Sequence, residues 1–195
     1  KKVAPHREDG KVAPIYMADE YLNLVATLGC EDDDVGLELH APEEDVQAVR
    51  EGLAGDGLVV GFAPGAAFGP SKCWPVERYA AVADALAEQM GARCVVLTGP
   101  GEEATRRAFV SCARTKIIAC DAGRPSVGRL KATVSELDLL ICNDSGVRHV
   151  AIAFKKPVVC IMGPTSRRYT ESRWEVGEQL QIDVDCGPCQ KPVCA

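Results

Sequence analysis

Residues 139–162 read LLICNDSGVRHVAIAFKKPVVCIM, and this stretch combines two kinds of apolar pattern. Its two ends, 139–142 and 158–162, are continuous apolar runs, which are typical of strands buried on both faces. Between them, residues 145–154 place apolar side chains every three or four positions, which predicts a helix. A strand, a helix and a second strand in this order predict a parallel βαβ unit.

The same alternation extends along the rest of the chain. It predicts an α/β fold, a Rossmann-like parallel sheet with helices on both faces. Pro42 is expected at the first helical position of its helix, and the strongest helical stripe runs from Tyr79 to Met90 and ends at Gly91. The predicted strands lie at 35–40, 58–63, 94–98, 116–119, 139–142 and 158–162, the last of which is the final clear strand. The predicted helices lie at about 21–28, 42–53, 79–90, 102–113, 127–137 and 145–154.

The composition is that of an ordinary globular domain. At about 150 residues per domain, the 195 residues correspond to one domain or slightly more. Apolar residues make up 47% and charged residues 26%, which excludes a disordered, collagen-like or coiled-coil chain. A net charge of −6 argues against binding to nucleic acid, because duplex binding needs clustered Lys and Arg. The longest uncharged run, 57–71, is too short for a transmembrane segment. Since the chain begins without a methionine or an apolar signal core, we expect its natural N-terminus to lie upstream.

Ten cysteines require an explanation. Several, such as Cys94 and Cys142, lie inside predicted strands, where a free thiol acts as a small buried side chain. A domain of this size needs no disulfides, so a reducing cytoplasm is the expected compartment. Cys186, Cys189 and Cys194 form a cluster that starts with a CxxC spacing. A tetrahedral zinc site would need a fourth ligand, so we expect ordinary thiols and no metal there, with a metal site as the alternative.

Four loops that follow predicted strands carry the unusual small and polar residues. They occupy 64–75, 99–103, 143–146 and 163–166. Ligands of parallel sheets bind at the carboxyl ends of the strands, where these loops should lie together. Small residues allow close approach of the backbone and leave N–H groups free, so the pattern favours a phosphate-bearing ligand.

The loop at 143–146 opens the predicted helix 145–154. Asp144 is expected to cap that helix, and the backbone N–H groups of Ser145 and Gly146 can receive a pyrophosphate. The carboxylate of Asp144 would repel phosphate, so we expect it to accept hydrogen bonds from sugar hydroxyls. His149 should face the ligand edge, away from the apolar side of the helix. The alternative is that Asp144 is only a cap and His149 only a surface residue.

Two further charged residues are candidates at this edge. Lys72 follows a small-residue loop, and its ammonium suits the growing charge of a diphosphate leaving group. The loop is not a Walker A motif, and a lysine that is merely solvated is the alternative. Glu103 could accept from ribose hydroxyls, or it could only stabilise the helix dipole.

Three of these motifs resemble glycosyltransferase family 9 in residue type, order and spacing. They are PGAAFGPSKCWP at 64–75, NDSGVRHVA at 143–151 and GPTS at 163–166. The family contains the bacterial ADP-heptose:lipopolysaccharide heptosyltransferases, and 64–75 most resembles the heptosyltransferase II group. The sequence departs from the family pattern at Cys73, Arg148 and Arg167, where Arg148 replaces an apolar residue.

The resemblance implies a GT-B enzyme with two Rossmann-like halves, of which this chain is similar to the C-terminal half. The chain then divides into an inter-domain segment with the first elements (1–57), a nucleotide-sugar-binding domain (58–185) and a Cys-rich tail (186–195). The implied activity is inverting, metal-independent and cofactor-free transfer of heptose from ADP-heptose to the lipopolysaccharide inner core. The general base, an aspartate, belongs to the N-terminal half, which would also hold the acceptor, so we expect this chain alone to be inactive.

The resemblance also carries over residue roles. Lys72 and Asp144 match catalytic positions of the family, with Lys72 on the diphosphate. The implied donor-binding residues are Gly65, Ala66, Ala67, Glu103, Ser145, Gly146 and His149.

The compartment that the resemblance implies is the cytoplasm or the cytoplasmic face of the inner membrane. The alternatives to heptose transfer are a non-catalytic nucleotide-binding module and a GT-B-type nucleotide-sugar epimerase.

Overall fold

A computed structural model describes residues 6–119 and 126–194, which form a short hairpin and a six-stranded sheet. The hairpin pairs β1 (Arg7–Glu8) with β2 (Lys11–Val12). The strands of the sheet are β3 (Val59–Ala63), β4 (Arg93–Val96), β5 (Ile117–Ala119), β6 (Leu139–Asn143), β7 (Val158–Ile161) and β8 (Gly177–Leu180). Their order in the sheet is β5-β4-β3-β6-β7-β8, and every neighbouring pair is parallel.

All six predicted helices form. The longest, the third, ends at Gly91, whose φ of 64° is the left-handed conformation that a C-cap glycine adopts at low cost. Short 3₁₀ turns at Pro70–Lys72 and Arg167–Tyr169 complete the connections. The helices are α1 (Met17–Ala26), α2 (Glu43–Gly52), α3 (Val76–Met90), α4 (Glu103–Cys112), α5 (Val127–Ser135) and α6 (Gly146–Ala153).

Helices cover both faces of the sheet, which confirms the predicted α/β fold. Alternate residues of β3 point to opposite faces. Val59 and Ala63 pack in a core with α2, α5 and α6, whereas Val60 and Phe62 pack in a second core with α3 and α4. None of the helices in the described part of the chain has the length and apolarity needed to span a bilayer.

Two strand predictions are wrong. Residues 35–40 form no strand. This segment is nevertheless packed on the rest of the molecule, because Gly36 lies so close to the Trp174 ring that a Cβ on Gly36 would be 2.8 Å from a ring atom. Conversely, β8 was not predicted, because Gly177–Leu180 carries mostly polar side chains. An edge strand has a neighbour on one side only and needs no apolar pattern. The final strand is therefore β8, and the run 158–162 is the strand before it.

Three details of the helices also differ from the predictions. Met90 and Val127, expected on the inward stripes, are 57% and 73% exposed. Both lie at a helix terminus, where periodicity does not reveal whether the sheet still lies beneath. Pro42 was predicted as the first helical residue, but it occupies the N-cap position, and the helix begins one residue later, at Glu43.

Candidate functional site

The four predicted loops do meet at the carboxyl edge of the sheet. Gly163, after β7, lies so close to the loop after β3 that a Cβ on it would be 2.6 Å from the Ser71 carbonyl oxygen. Gly65, after β3, lies directly against the carboxylate of Glu102 from the loop after β4. Glycine is needed at position 163 because the backbone of the neighbouring loop leaves no room for a side chain, whereas at position 65 the Glu102 side chain would have to move.

Asn143, the last residue of β6, holds these loops together. Its side chain is fully buried and accepts hydrogen bonds from the Tyr79 hydroxyl (2.9 Å) and the Trp74 amide (3.1 Å). It also donates to the Pro64 carbonyl oxygen (2.7 Å). Asn143 was not predicted as a residue of the site. The available signal was a polar residue at the end of a buried apolar strand, since such a group must find partners.

Lys72 and Asp144 lie together at the centre of the edge. The Lys72 Nζ donates to the Asp144 Oδ2 (2.6 Å) and to the Asp144 backbone oxygen (3.0 Å). Thr165 also donates to Oδ2 (2.8 Å), and Arg148 donates to Oδ1 (3.1 Å). Burial alone would raise the pKa of Asp144, but the contacts with Lys72, Thr165 and Arg148 outweigh it, so this pKa lies below its ordinary value.

Asp144 is not the helix cap that the sequence predicts. Ser145 occupies the N-cap position of α6, and no side chain caps that end. The Asp144 carboxylate turns instead toward Lys72 and Arg148, with which it forms stronger, charge-assisted hydrogen bonds. Gly146 is exposed, and a Cβ on it would meet nothing within 4 Å. No side chain caps the first amides of α6, and the exposed Gly146 leaves this end of the helix accessible, so an anion there is favoured by the helix dipole.

Arg148 is fully buried and has a partner for each side of its guanidinium. It donates from Nε and from a terminal nitrogen to the two carboxylate oxygens of Glu175 (2.7 and 2.6 Å). Its other terminal nitrogen reaches Asp144 and the Thr170 hydroxyl (3.0 Å). The pKa of Arg148 lies above its ordinary value: burial lowers it, but the carboxylates raise it further. Thr165 lies in the loop 163–166 that was predicted at this edge, but its contact with Asp144 was not predicted. Glu175 was not predicted, because only folding brings it to this edge.

His149 lies on the face of α6 that the sequence predicts, away from the core centre. Its half-buried ring stacks on Tyr16, with 6.4 Å between ring centroids and 29° between planes. Burial and the neighbouring charge of Arg148 lower the pKa of His149 below its ordinary value. The imidazole is therefore neutral at neutral pH. Tyr16 was also not predicted as part of the site.

Glu103, the predicted acidic residue, and its neighbour Glu102 have different partners. The Glu102 carboxylate accepts from the Gly99 amide (2.7 Å) and lies against Gly65. Glu103, one residue later on α4, forms an ion pair with Arg106 (2.7 Å). The neighbouring loop residues Ala66 and Ala67 are half-buried and exposed, respectively.

The Cys-rich tail packs beside the Lys72 loop. The Ser71 hydroxyl donates to the Lys191 carbonyl oxygen (2.7 Å), and the Gln190 amide donates to Pro164 (3.0 Å). In the described ranges, no group of three His, Cys, Asp or Glu residues is placed to hold a metal ion; the expectation of a metal-free tail stays a prediction. The cysteines predicted in strands are buried free thiols, at Cys94, Cys142 and Cys160, and Cys120 lies outside the described residues.

Comparison with known sequences establishes the family. The sequence model of glycosyltransferase family 9 (heptosyltransferase) matches residues 16–195. The chain belongs to glycosyltransferase family 9. Within that family, lipooligosaccharide heptosyltransferase 2 of Haemophilus influenzae is 35% identical over 123 residues, which are 60% of this chain and 35% of that protein. Lipopolysaccharide heptosyltransferase 2 of Escherichia coli is 28% identical over 137 residues, 69% of this chain and 39% of that protein.

Solved structures of family 9 confirm the fold of this member. The family 9 glycosyltransferase of Veillonella parvula superposes with a TM-score of 0.77 at 30% identity, covering 91% of this chain and 51% of that one. The ADP-heptose heptosyltransferase II of Escherichia coli has the same fold, with a TM-score of 0.65 at 22% identity over 78% of this chain and 50% of its own. The chain thus spans about half of these solved structures and less than half of the curated relatives.

Proposed function

We propose that this chain is the C-terminal, donor-binding half of an inverting, metal-independent GT-B glycosyltransferase that transfers heptose from ADP-heptose to the lipopolysaccharide inner core. Membership of family 9 supports transfer, and the names of the relatives support heptose as the sugar. The observation that carries the proposal is the uncapped N-terminus of α6, open to solvent beside the ion pair of Lys72 and Asp144. The same names disfavour a nucleotide-binding module without activity and a nucleotide-sugar epimerase.

The proposed site binds the donor through its diphosphate. The amides of Ser145 and Gly146 face one side of the diphosphate, and the ammonium of Lys72 contacts it from the other. The small loop from Gly65 to Ala67 allows the ligand to approach the backbone. His149, held neutral, contacts the sugar or the diphosphate as a hydrogen-bonding group.

The roles of the carboxylates follow from their contacts. Only 3% of Asp144 is exposed, and its oxygens already accept from three side chains. We therefore assign Asp144 to holding Lys72 in place, in preference to direct contact with sugar hydroxyls. For the nucleoside ribose, Glu103 remains the proposed acceptor, and Glu102 is a second candidate because it lies inside the loop cluster.

The reaction is an in-line displacement at the anomeric carbon. The acceptor hydroxyl forms a new C–O bond, and the bond to the diphosphate breaks, with its electron pair leaving on ADP. Lys72 and the α6 amides stabilise that growing negative charge. The proton of the hydroxyl goes to the general base, the aspartate that the family resemblance assigns to the N-terminal half. That half also binds the lipopolysaccharide acceptor, in the cytoplasm or at the cytoplasmic face of the inner membrane.

Calorimetric titration of the chain with ADP, UDP and GDP tests the proposal, with tighter binding of ADP as the expected result. Lys72→Ala should weaken ADP at least about 10-fold, because a hydrogen bond to a charged group contributes about 1.5–3 kcal/mol. Adenosine, which lacks the diphosphate, should bind this variant as it binds the original chain. Lys116→Ala is the control, since Lys116 lies exposed just before β5, at the opposite edge of the sheet. Equal losses for ADP and adenosine would contradict the assignment of Lys72.

A further inference from the structure

A second buried ion pair lies directly behind the pair of Lys72 and Asp144. Arg148 and Glu175 share two hydrogen bonds, and their side chains are 0% and 6% exposed. The family resemblance places an apolar residue at position 148, where neither ion would be needed. Burying two charges is costly, so this pair calls for an explanation beyond the packing of α6.

The contacts of Arg148 connect that pair to the site. Arg148 lies in the first turn of α6, four residues after Asp144, and donates to its Oδ1. The other carboxylate oxygen, Oδ2, accepts from Lys72 and Thr165. Three donors in three directions fix the plane of the carboxylate, whose terminal torsion is otherwise soft. That plane determines where the ammonium of Lys72 lies.

Glu175 makes this arrangement electrically balanced. The two cations, Lys72 and Arg148, face two carboxylates, Asp144 and Glu175, so the formal charges in the cluster sum to zero. Because Arg148 has its own bidentate partner, the charge of Asp144 stays available to Lys72. Gln179 donates to Glu175 as well (3.0 Å) and fixes the far end of the cluster.

We propose that Arg148, paired with Glu175, is a positioning residue that acts through Asp144 to hold Lys72 against the donor diphosphate. The proposal rests on the proposed function, because Lys72 must contact a diphosphate for its position to be felt. It adds two residues of this chain, contributed by α6 and by the segment before β8, to the determinants of donor binding.

The test is a double-mutant cycle on ADP binding, measured by calorimetry on the chain. Arg148→Met with Glu175→Gln removes both charges together and keeps an amide that still bonds with Gln179. We expect this variant to bind ADP ~10-fold more weakly, equivalent to about 1.4 kcal/mol, and adenosine unchanged. Added to Lys72→Ala, the same two substitutions should cause no further loss, because their effect passes through Lys72. A purely structural role would weaken both ligands.

The control is a bidentate arginine pair far from the site. Arg50 of α2 donates two hydrogen bonds to Glu136 (2.9 and 3.1 Å), so Arg50→Met with Glu136→Gln removes a bidentate pair, more exposed than that of Arg148, without touching the carboxyl edge of the sheet. This variant should bind ADP as the original chain does. Circular dichroism establishes that each variant is folded.

Arg148→Lys is the second variant in case the charge-free one does not fold. A single ammonium keeps the charge but cannot hold Glu175 by two bonds and Asp144 as well, so ADP affinity should fall in the same Lys72-dependent way. The inference is overturned if folded variants bind ADP normally, or if their losses add to that of Lys72→Ala. Failure of the proposed function looks different: the original chain would not bind ADP, or Lys72→Ala would have no effect.

Discussion

Asp144 accepts hydrogen bonds from three side chains that lie 72, 4 and 21 residues away in sequence. A carboxylate buried to this extent would be strongly destabilising alone, and it is tolerated because two of its partners are cations. The folded protein thus positions Lys72 before any ligand arrives. Such preorganisation lets a charge act on a developing anion without rearrangement.

His149 provides the prediction at the residue scale. Burial, aided by the charge of Arg148, lowers the pKa of His149 in the folded state. As the pH falls, His149 of the unfolded chain therefore becomes protonated first, near its ordinary pKa of about 6.5. The stability linked to neutral His149 is therefore fully present above about pH 6.5 and lost as the pH falls through the lowered pKa. Urea unfolding at pH 7.5, 6.5, 5.5 and 5.0 should show that His149→Gln loses less free energy of unfolding on acidification than the original chain.

The control for this experiment is the exposed His40. His40→Gln should keep the pH dependence of the original chain. If His149→Gln keeps it too, the imidazole is not held neutral by its surroundings, and its proposed role as a neutral hydrogen-bonding group fails.

At the scale of elements, β3 is positioned by a glycine. A Cβ on Gly61 would press on the Leu137 side chain and lie 2.9 Å from Leu97 Cδ1, and both leucines are buried. Gly61→Ala should therefore lower the free energy of unfolding by about 1–3 kcal/mol through overpacking. Urea unfolding measures this loss.

Gly52→Ala is the matched substitution. Gly52 is the last residue of α2, and a Cβ there would meet nothing within 4 Å. It should leave stability unchanged or raise it slightly, since alanine favours helix. Equal losses of the free energy of unfolding at Gly61 and Gly52 would show that the effect of Gly61→Ala does not come from overpacking against Leu97 and Leu137.

At the scale of the molecule, we predict that the chain binds ADP-heptose and transfers nothing. The candidate site residues that the structure brings together lie at one edge of one sheet, and the roles proposed for them all concern the donor and its leaving group. Transfer also needs an acceptor hydroxyl in line with the anomeric carbon, and a base for its proton. The solved family member from Veillonella parvula is about twice as long as the region it shares with this chain, which leaves room for a facing half.

The measurement is incubation of the purified chain with ADP-heptose and a lipopolysaccharide core acceptor. A full-length heptosyltransferase under the same conditions is the positive control. We expect ADP-heptose to bind, as seen by calorimetry, and no heptose to appear on the acceptor. Turnover near that of the control enzyme would contradict the division of labour between the two halves.

The sequence alone determined the α/β fold, the six helices, the central strands and the loops that carry the site. These features depend on apolar periodicity and on glycine and proline signals, which are local properties of the chain. Where the local signal is weak the predictions were wrong, as at 35–40 and at the polar strand β8, because a strand exists only if a neighbour supplies its hydrogen bonds.

Only the tertiary structure decided which side chains meet. Glu102 contacts Gly99 and Gly65 whereas Glu103 pairs with Arg106, although the two glutamates are adjacent, because successive residues entering a helix point about 100° apart. Asp144 binds Lys72 and Arg148 instead of capping α6. Glu175, 27 residues after Arg148, completes the cluster by pairing with that arginine. Burial makes each of these polar groups depend on a partner, and no local pattern states which distant residue the fold will place within reach.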